Sequence, residues 1–365
     1  MGSLITQSFY LLARSYTPMT EMLGGKLLDK GSYGCVYMPS LLCKGSKKPT
    51  LKEDTDTDAI YPPITKIILK DAAEVEFYVS NIIRQIPLWK QYFAVSESIC
   101  EPAMKQKEKE MAMCDAMEGH RLSDFRLLSM TYAGVPLNMH RFNLQTFDFL
   151  KFATHMIEAG ALLNLFGIAH RDLHNGNILV DAHDVPRIID FNLAITVESS
   201  ITGDDIEHRY MPAIDQEPPD STLVNAIAQG YKADVIIQSI VKKKTILKKI
   251  KTLFNLSNAE MAKQLEDYVM KSKSVKVGDL AGWFKTYWRT IDSWAIGMNL
   301  ISMSTMLSTS PAFSKLMPLL RRLCSLSPID RVDCVQALHY LEPTNSILKK
   351  YGKAWLAKVG DGAIH

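Results

Sequence analysis

The sequence contains little of what a membrane, secreted or zinc-binding protein requires. None of its six cysteines forms a C-x-x-C pair, which argues against a zinc ribbon or a redox motif. Cysteines scattered over 365 residues are typical of reduced thiols inside a cell. No apolar run approaches the roughly 18 residues of a membrane span, and no basic start precedes a long apolar segment. We therefore expect an intracellular protein without a secretion signal or a transmembrane segment.

The charge balance is also modest. The chain carries 42 basic and 39 acidic side chains, and the resulting net charge of +3 is too small to favour a nucleic-acid partner. Hydrophobic residues make up 47% of the chain and charged residues 22%, which excludes a mostly disordered protein. The first six residues, M-G-S-L-I-T, fit the pattern M-G-x-x-x-[ST], so Gly2 is a candidate for N-myristoylation.

Strand-like and helix-like patterns occupy different parts of the chain. An N-terminal extension of residues 1–22 precedes several short, β-rich stretches. Helical spacing dominates most of the chain after residue 222. This order predicts an α+β fold with a β-rich first lobe, about residues 23–130, and a helical second lobe, about residues 131–342. Residues 343–365 would form a C-terminal tail.

The most informative motifs lie in the middle of the chain. Residues 170–177 read H-R-D-L-H-N-G-N, and residues 190–192 read D-F-N. In these motifs the chain resembles the protein kinase superfamily, whose catalytic loop is H-R-D-L-x-x-x-N and whose metal-binding motif is D-F-G. The resemblance implies that Asp172 is the catalytic base and that Asn177 and Asp190 bind Mg²⁺. It also implies a bilobal, protein kinase-like fold with ATP between the lobes.

The residue types of these motifs suit phosphoryl transfer. This reaction depends on positioning and on charge neutralisation rather than on covalent chemistry. Magnesium prefers oxygen ligands, which an asparagine and an aspartate supply, and a carboxylate next to the attacking hydroxyl can accept its proton. The resemblance implies an ATP-dependent kinase that transfers the γ-phosphoryl group to serine or threonine hydroxyls of protein substrates.

A glycine-rich stretch about 140 residues before the catalytic loop supports the same family. Residues 29–36 read D-K-G-S-Y-G-C-V and resemble G-x-G-x-x-G-x-V, in which backbone amides close over the phosphates of ATP. Asp29 replaces the first glycine, a departure that could weaken this closure. The residues expected to contact the nucleotide here are Gly31, Ser32, Gly34 and Val36.

The resemblance further implies a lysine on the third strand that pairs with ATP, and a glutamate on the next helix that fixes the lysine. We choose Lys66, within the stretch I-T-K-I-I, with Lys70 as the alternative. Glu76 has apolar neighbours at helical spacing that would dock it, so we prefer it to Glu74.

A short apolar stretch resembles the hinge between the two lobes of a kinase. It reads M-T-Y-A, and a hinge offers its backbone groups to adenine. The expected nucleotide contacts are Met130, Tyr132 and Ala133. One more core strand is the alternative for this stretch.

Two downstream motifs are similar to structural elements of the family's second lobe. Residues 292–297 read D-S-W-A-I-G and fit D-x-W-x-x-G, whose aspartate holds the backbone of the catalytic loop. Arg331 follows in S-P-I-D-R, and the resemblance implies that it pairs with Glu217. The resemblance covers about residues 23–342. Within the superfamily, the sequence looks most like the divergent serine/threonine kinases of large cytoplasmic DNA viruses. A viral protein of this class would act in the host cytoplasm or in the virion.

Departures from the family pattern leave two other functions open. His174 stands where serine/threonine kinases carry a lysine that contacts the transferred phosphate, so we expect a protonated His174 to take this catalytic role. A histidine also occurs there in kinase-like enzymes that phosphorylate small molecules, and a hydrogen-bonded structural role is a further alternative. Asn192 replaces the glycine of D-F-G. Together with Asp29, it keeps open a weakly active or inactive pseudokinase scaffold.

The connection between Glu217 and Asp292 is far longer than ordinary loops require, which predicts an insertion at about residues 222–286. An apolar stripe at helical spacing predicts that the insertion is helical. A basic amphipathic helix can bind an acidic partner or an anionic membrane, while packing on the second lobe with a solvated lysine face is the alternative. The lysines of this helix are Lys242, Lys243, Lys244, Lys248, Lys249 and Lys251.

Arg171 next to the catalytic aspartate suggests control by a phosphorylated activation segment, because a guanidinium pairs well with phosphate. Acidic residues of the segment could replace the phosphate charge instead. The candidate acceptors are Thr196, Ser199, Ser200 and Thr202, and the candidate acidic substitutes are Asp204, Asp205 and Glu207.

Overall fold

The computed structural model describes residues 25–31, 34–46, 63–106, 108–197, 200–307 and 310–362. The chain divides into two compact units. The first contains the residues up to 141 together with 179–183 and 187–193, and the second contains the others. The N-terminal extension with the candidate acylation site lies outside the described residues.

The first unit is built on a five-stranded antiparallel sheet with the strand order β1-β2-β3-β5-β4. The strands are β1 (Lys26–Lys30), β2 (Gly34–Met38), β3 (Ile64–Leu69), β4 (Ser98–Cys100) and β5 (Phe125–Met130). The helices of this unit are α1 (Lys70–Ile83), α2 (Trp89–Tyr92) and α3 (Glu108–Met111).

The central strand β3 is covered on both faces. Successive side chains of a strand point to opposite faces of its sheet. Ile67 packs in a cluster with Phe125 on one face, and Ile68 packs with Ala73 of α1 on the other. Lys66 lies on the same face as Ile68, toward α1, and is only 8% exposed, so its ammonium group requires partners inside the unit.

Two disulfide bonds lie within the first unit. Cys35 of β2 pairs with Cys114, and Cys43 pairs with Cys100 of β4. The prediction of reduced thiols is wrong for these four residues, because the fold joins cysteines 79 and 57 positions apart and spacing alone cannot reveal such pairs. Disulfides persist in oxidising environments, so the cysteine argument for an intracellular protein loses its basis.

Two small sheets hold the loops that carry the predicted catalytic residues. One contains β6 (Val135–Pro136), β8 (Ile178–Val180) and β9 (Pro186–Ile188), and the other contains β7 (Ile168–Ala169) and β10 (Ile195–Thr196). The catalytic loop runs from β7 to β8, and the D-F-N motif follows β9.

The second unit is helical. Its central helix α4 (Phe149–Leu165) begins at Asp148, whose carboxylate accepts a hydrogen bond from the backbone N of Lys151 at 3.0 Å. Most of its residues are buried. The other helices outside the insertion are α11 (Ile291–Ser302), α12 (Ser304–Leu307), α13 (Pro311–Leu323), α14 (Cys334–Leu341) and α15 (Lys353–Val359), and α11, α13 and α14 pack against α4.

The insertion consists of helices, as predicted. They are α5 (Pro219–Ala228), α6 (Ala233–Lys243), α7 (Ile246–Phe254), α8 (Asn258–Lys271), α9 (Lys273–Val277) and α10 (Leu280–Tyr287). The apolar stripe of α7, represented by Ile250 and Phe254, is buried within the unit. The stripe is therefore covered by protein, whereas four lysines are exposed: Lys242, Lys243, Lys248 and Lys251.

The prediction of an α+β fold with a β-rich first part and a helical second part is confirmed. The residues after 342 pack on the second unit, where Trp355 Nε1 of α15 donates to Asp333 Oδ2 at 3.0 Å. Among the described residues, no helix combines the length and the hydropathy that crossing a bilayer requires.

Candidate active site

In the first unit, Lys66 joins two carboxylates that are distant in sequence. Its Nζ donates to Glu76 Oε2 at 2.8 Å and to Asp190 Oδ1 at 2.7 Å. Glu76 faces β3 from α1, and Asp190 follows β9. The side chains of Lys66 and Glu76 are 10% and 4% exposed, while that of Asp190 is 28% exposed. The cluster therefore opens toward solvent at the aspartate.

The electrostatics of this cluster favour a charged lysine. Burial alone would lower the pKa of Lys66, but the adjacent Glu76 and Asp190 carboxylates hold that pKa above its ordinary value. Burial raises the pKa of Glu76, and the negative charge of Asp190 adds to this effect, against the attraction of Lys66. One ammonium group between two carboxyl groups leaves an excess of negative charge when both are ionised, which suits a bound cation.

The structure separates the alternatives for the lysine and the glutamate. Lys70 Nζ lies 3.9 Å from Glu74 Oε1, and both side chains are at least half exposed. This second pair forms a surface contact within α1, so it does not reach the interior of the sheet.

The glycine-rich stretch spans the end of β1 and the start of β2, which Gly31 and Gly34 join by a backbone hydrogen bond. The backbone N of Gly31 donates to the carbonyl of Gly34 at 2.8 Å. A Cβ at Gly34 would lie 2.1 Å from the carbonyl oxygen of Ile67, so close strand packing also requires glycine there. Val36 pairs in register with Lys66 of the neighbouring strand. Ser32 lies outside the described residues.

Asp29, in place of the first glycine, is built into β1. Its Oδ1 accepts a hydrogen bond from the backbone N of Lys30 at 2.8 Å, and the side chain is exposed. The strand register shifts between Leu27 and Asp29, which marks a bulge.

The predicted hinge begins where β5 ends. Met130 is the last residue of β5 and pairs with Ile64 of β3. Tyr132 and Ala133 lie beyond the strand, so the core-strand alternative describes Met130 but not the residues after it. Tyr132 is half-buried and Ala133 is buried.

In the second unit, helix α11 holds the backbone of residues 170–173, the predicted catalytic loop. The carboxylate of Asp292 accepts from the backbone N of His170 at 2.7 Å and from that of Arg171 at 3.0 Å. Asn299 Nδ2, two turns further along α11, donates to the carbonyl of Leu173 at 2.8 Å. Arg171 has a φ of 70°, an unfavourable value that these bonds help to maintain.

Asp172 is surrounded by hydrogen-bond donors. Asn177 Nδ2 donates to the Asp172 carbonyl at 2.9 Å and lies 3.4 Å from Oδ2. His174 Nε2 lies 3.9 Å from the same Oδ2, while its Nδ1 accepts from the backbone N of Gly176 at 3.0 Å. Gln216 Nε2 donates to Asp172 Oδ1 at 2.9 Å. Sequence reasoning missed this role of Gln216, which lies 44 residues further along the chain, next to Glu217.

The oxygen atoms of Asn177 and Asp190 fit the preference of magnesium for oxygen ligands. Because the Asn177 amide nitrogen faces Asp172, its Oδ1 points away from that residue. The two predicted ligands belong to different units. Within the described ranges, no three histidine, cysteine, aspartate or glutamate side chains converge as a metal site.

Arg171 contacts the predicted activation segment through backbone groups of that segment. Its guanidinium donates to the carbonyls of Asp205 and Ile206 at 3.1 and 2.9 Å. The Asp205 carboxylate instead accepts from the backbone N and the hydroxyl of Thr202, both at 2.8 Å. The Asp205 carboxylate thus hydrogen-bonds Thr202 rather than Arg171, although the opposite charges of Asp205 and Arg171 still attract each other.

The predicted pairing of Arg331 with Glu217 is wrong. Arg331 Nη2 binds Asp220 Oδ1 at 2.7 Å, and both side chains are fully buried. Asp220 lies in the first turn of α5, three residues after Glu217, and sequence spacing does not distinguish the two carboxylates.

Glu217 instead binds groups of its own neighbourhood. Its carboxylate accepts from the hydroxyls of Ser221 and Thr222 at 2.9 Å, and His208 Nε2 lies 2.9 Å from Oε1. Burial alone would lower the pKa of His208 and raise that of Glu217. Their contact outweighs burial and shifts both pKa values the other way.

Comparison with known proteins adds little at the level of sequence. No protein-family model matches the chain, and no curated protein matches it. Among solved structures, a chain of the CAK complex of Chaetomium thermophilum bound to ATP-gamma-S is similar over 95% of this chain and 96% of that chain. The two share 18% sequence identity, with a TM-score of 0.43.

Proposed function

We propose that this protein is an ATP-dependent protein kinase that transfers the γ-phosphoryl group to serine or threonine hydroxyls of proteins. The observation that carries the proposal is the buried ammonium group of Lys66 between Glu76 and Asp190. A purely structural ion pair needs one carboxylate, whereas this lysine has two, and the second is partly exposed. A lysine held in this way can donate to phosphate oxygens, and the additional carboxylate can bind a cation.

Each residue has a defined part in the proposed reaction. Lys66 binds and orients the phosphates, and Glu76 fixes Lys66. Magnesium held by Asn177 and Asp190 supplies charge neutralisation at the phosphates. Asp172 accepts the proton of the attacking hydroxyl. The proposed contacts to the nucleotide are Gly31, Ser32, Gly34, Val36, Met130, Tyr132 and Ala133.

A small-molecule kinase is the second candidate, and His174 is the observation that favours it. The Nδ1 atom of His174 is engaged by the backbone of Gly176, which fixes the imidazole with Nε2 on the side of Asp172. This orientation allows Nε2 to donate to a transferred phosphate, whichever acceptor is present. A panel of aminosugars and lipids, assayed beside protein substrates, distinguishes the two candidates.

The remaining assignments are proposals of the same rank. We propose that the kinase domain spans residues 23–342. From its motif pattern, we also propose that it is related to the kinases of large cytoplasmic DNA viruses. The exposed lysines near the end of α6 and on α7 offer a docking surface for an acidic partner. Because the apolar stripe of α7 is buried, insertion of this helix into a membrane is not part of the proposal.

The decisive experiment is ATP turnover with Mg²⁺, using radiolabelled ATP and generic basic and acidic protein substrates. We expect label on serine or threonine in the wild type, and none in Asp172→Ala or Asp190→Ala. Asp267→Ala, at an exposed position of α8, is the matched control and should retain turnover. Turnover that persists in both active-site variants would refute the proposed roles. Melting measured with and without ATP shows whether an inactive protein still binds the nucleotide.

A further inference from the structure

A fully buried lysine of the insertion contacts the segment that precedes α5. Lys244 is 0% exposed, and its Nζ donates to the backbone carbonyls of Glu217, at 2.8 Å, and of Ile214. Burial lowers the pKa of Lys244 to about 8, against the attraction of nearby carboxylates led by Glu217. Burying an ammonium group is unfavourable unless its partners are well placed, so a lysine here is a specific structural choice.

The same segment is held at a second point, Asp215. The backbone N of Ile246 donates to Asp215 Oδ1 at 3.0 Å, and the Thr245 hydroxyl donates to Oδ2. Trp294 Nε1 of α11 donates to the Asp215 carbonyl at 2.8 Å. Asp215 is therefore held at two points. The junction of α6 and α7 binds its side chain, and α11 binds its backbone carbonyl.

Gln216 lies between these attachment points and reaches the catalytic loop. Its Nε2 donates to Asp172 Oδ1 at 2.9 Å, a shorter contact than the 3.4 Å from Asn177 Nδ2 to Oδ2. The terminal torsion of an aspartate has a broad energy profile, so a short hydrogen bond to one oxygen decides how the carboxylate is oriented. With Gln216 on Oδ1, the other oxygen faces the donors Asn177 and His174.

We propose that Lys244 and Gln216 are positioning residues: the insertion clamps residues 214–217 through Lys244, and Gln216 thereby orients the Asp172 carboxylate for proton acceptance. This inference rests on the proposed function, because it assigns Asp172 the role of the base. It also gives the insertion a role inside the catalytic unit, in addition to its exposed lysine face.

Steady-state kinetics test the catalytic part of the inference. Gln216→Leu removes the donor at nearly constant volume and should lower kcat about 10- to 100-fold, because misplaced catalytic groups cost rate. The KM for ATP should stay within about twofold, since Gln216 contacts no residue assigned to the nucleotide. Lys244→Met should lower kcat in the same direction, and Lys232→Met, at the exposed residue before α6, should leave it unchanged. Unchanged kcat in Gln216→Leu would overturn the inference.

A second readout does not depend on turnover. In protein labelled with ¹⁵N-glutamine, the side-chain amide signal of Gln216 is identified by its loss in Gln216→Leu. The signal should shift in Asp172→Ala and in Lys244→Met but stay in place in Lys243→Met. If the chemical shift of the Gln216 amide does not change in Lys244→Met, the proposed clamp by Lys244 is overturned. If Lys244→Met does not fold, Thr245→Val loosens the same segment and should shift the signal, and an unmoved signal there would likewise overturn the clamp.

The two readouts separate failure of the inference from failure of the proposed function. If the wild type and Asp172→Ala are equally inactive, the kinase proposal fails. The Gln216 signal then still decides whether the insertion positions the Asp172 carboxylate. If the wild type is active and Gln216→Leu matches it, the kinase proposal stands and the positioning role is overturned.

Discussion

Among the residues that the structure describes, each unit contains one buried lysine near carboxylates, and the two lysines differ in their partners. Lys66 donates to the side chains of Glu76 and Asp190, and its pKa is held above the ordinary value. Lys244 donates to two backbone carbonyls, and burial lowers its pKa to about 8. Burial alone therefore does not determine the charge of a lysine, because side-chain carboxylates compensate desolvation far better than carbonyl dipoles.

The hydrogen-bond partners of Lys66 and Lys244 also indicate different roles for the two lysines. Lys66 lies beside a partly exposed carboxylate, where a ligand can reach it, and its own charge is secured over the whole physiological range. Lys244 is completely enclosed and binds the chain itself. We infer that the first lysine acts on a substrate and the second acts on the protein's own conformation.

The largest expected effect comes from removing the first lysine. Lys66→Met should lower kcat/KM for ATP about 10²- to 10³-fold, the range for loss of one preorganised donor to a developing charge. Steady-state kinetics with varied ATP measure this effect. Lys70→Met is the matched control, because Lys70 forms only the exposed contact with Glu74. Equal losses in the two variants would contradict the assignment of Lys66.

Lys66 could be chosen from the sequence because a strand motif and a glycine-rich stretch surround it. The resemblance implied a glutamate on the next helix, and helical spacing then favoured Glu76 over Glu74. Asp220, Gln216 and Lys244 could not be chosen in this way, since their contacts depend on where the insertion folds back. Local patterns thus predict residues within one element, whereas contacts that span 27 to 111 positions require the tertiary structure.

Reduction of the disulfides should lower the stability of the first unit and leave that of the second unit unchanged. Both bonds lie in the first unit, so dithiothreitol should lower the local stability of the sheet that carries Lys66 by about 2–4 kcal/mol. Hydrogen exchange of β2 and β5 measures this change, and exchange in α8 of the second unit is the internal control. Similar acceleration in both units would contradict a separate response of the first unit.

The pH dependence of stability should have opposite directions for the two lysines. The folded-state pKa of Lys244 lies below its unfolded value, so its burial costs less as pH rises from about 8 toward 10.5. Relative to Lys244→Met, the wild type should gain roughly 2 kcal/mol in free energy of unfolding between pH 8 and 10. Lys66 has a raised folded pKa, so its contribution is fully present below the unfolded pKa and is lost above it.

Urea denaturation of the wild type, Lys66→Met and Lys244→Met at several pH values measures these differences. Lys243→Met should follow the wild type throughout, because that side chain is exposed. A Lys244→Met difference that is constant from pH 8 to 10 would show that Lys244 keeps an ordinary pKa and would remove the contrast between the two lysines.

The smallest expected effect concerns His208, whose partner Glu217 also lies next to Lys244. The contact with Glu217 raises the pKa of His208 above its ordinary value. Its stabilising contribution is therefore fully present below the unfolded pKa of about 6.5 and is lost as pH rises through the folded-state value. Because a third of the side chain is exposed, we expect at most about 1 kcal/mol.

The difference in melting temperature between the wild type and His208→Gln measures this contribution at pH 5.5 and 8.5. We expect a larger difference at the lower pH, because only the protonated imidazole forms an ion pair with Glu217. A difference of the opposite sign would mean that His208 is bound as a neutral ring. In that case the positive charge near Glu217 would come from Lys244 and Arg171, and the clamp on residues 214–217 would bear more of the stability of the segment.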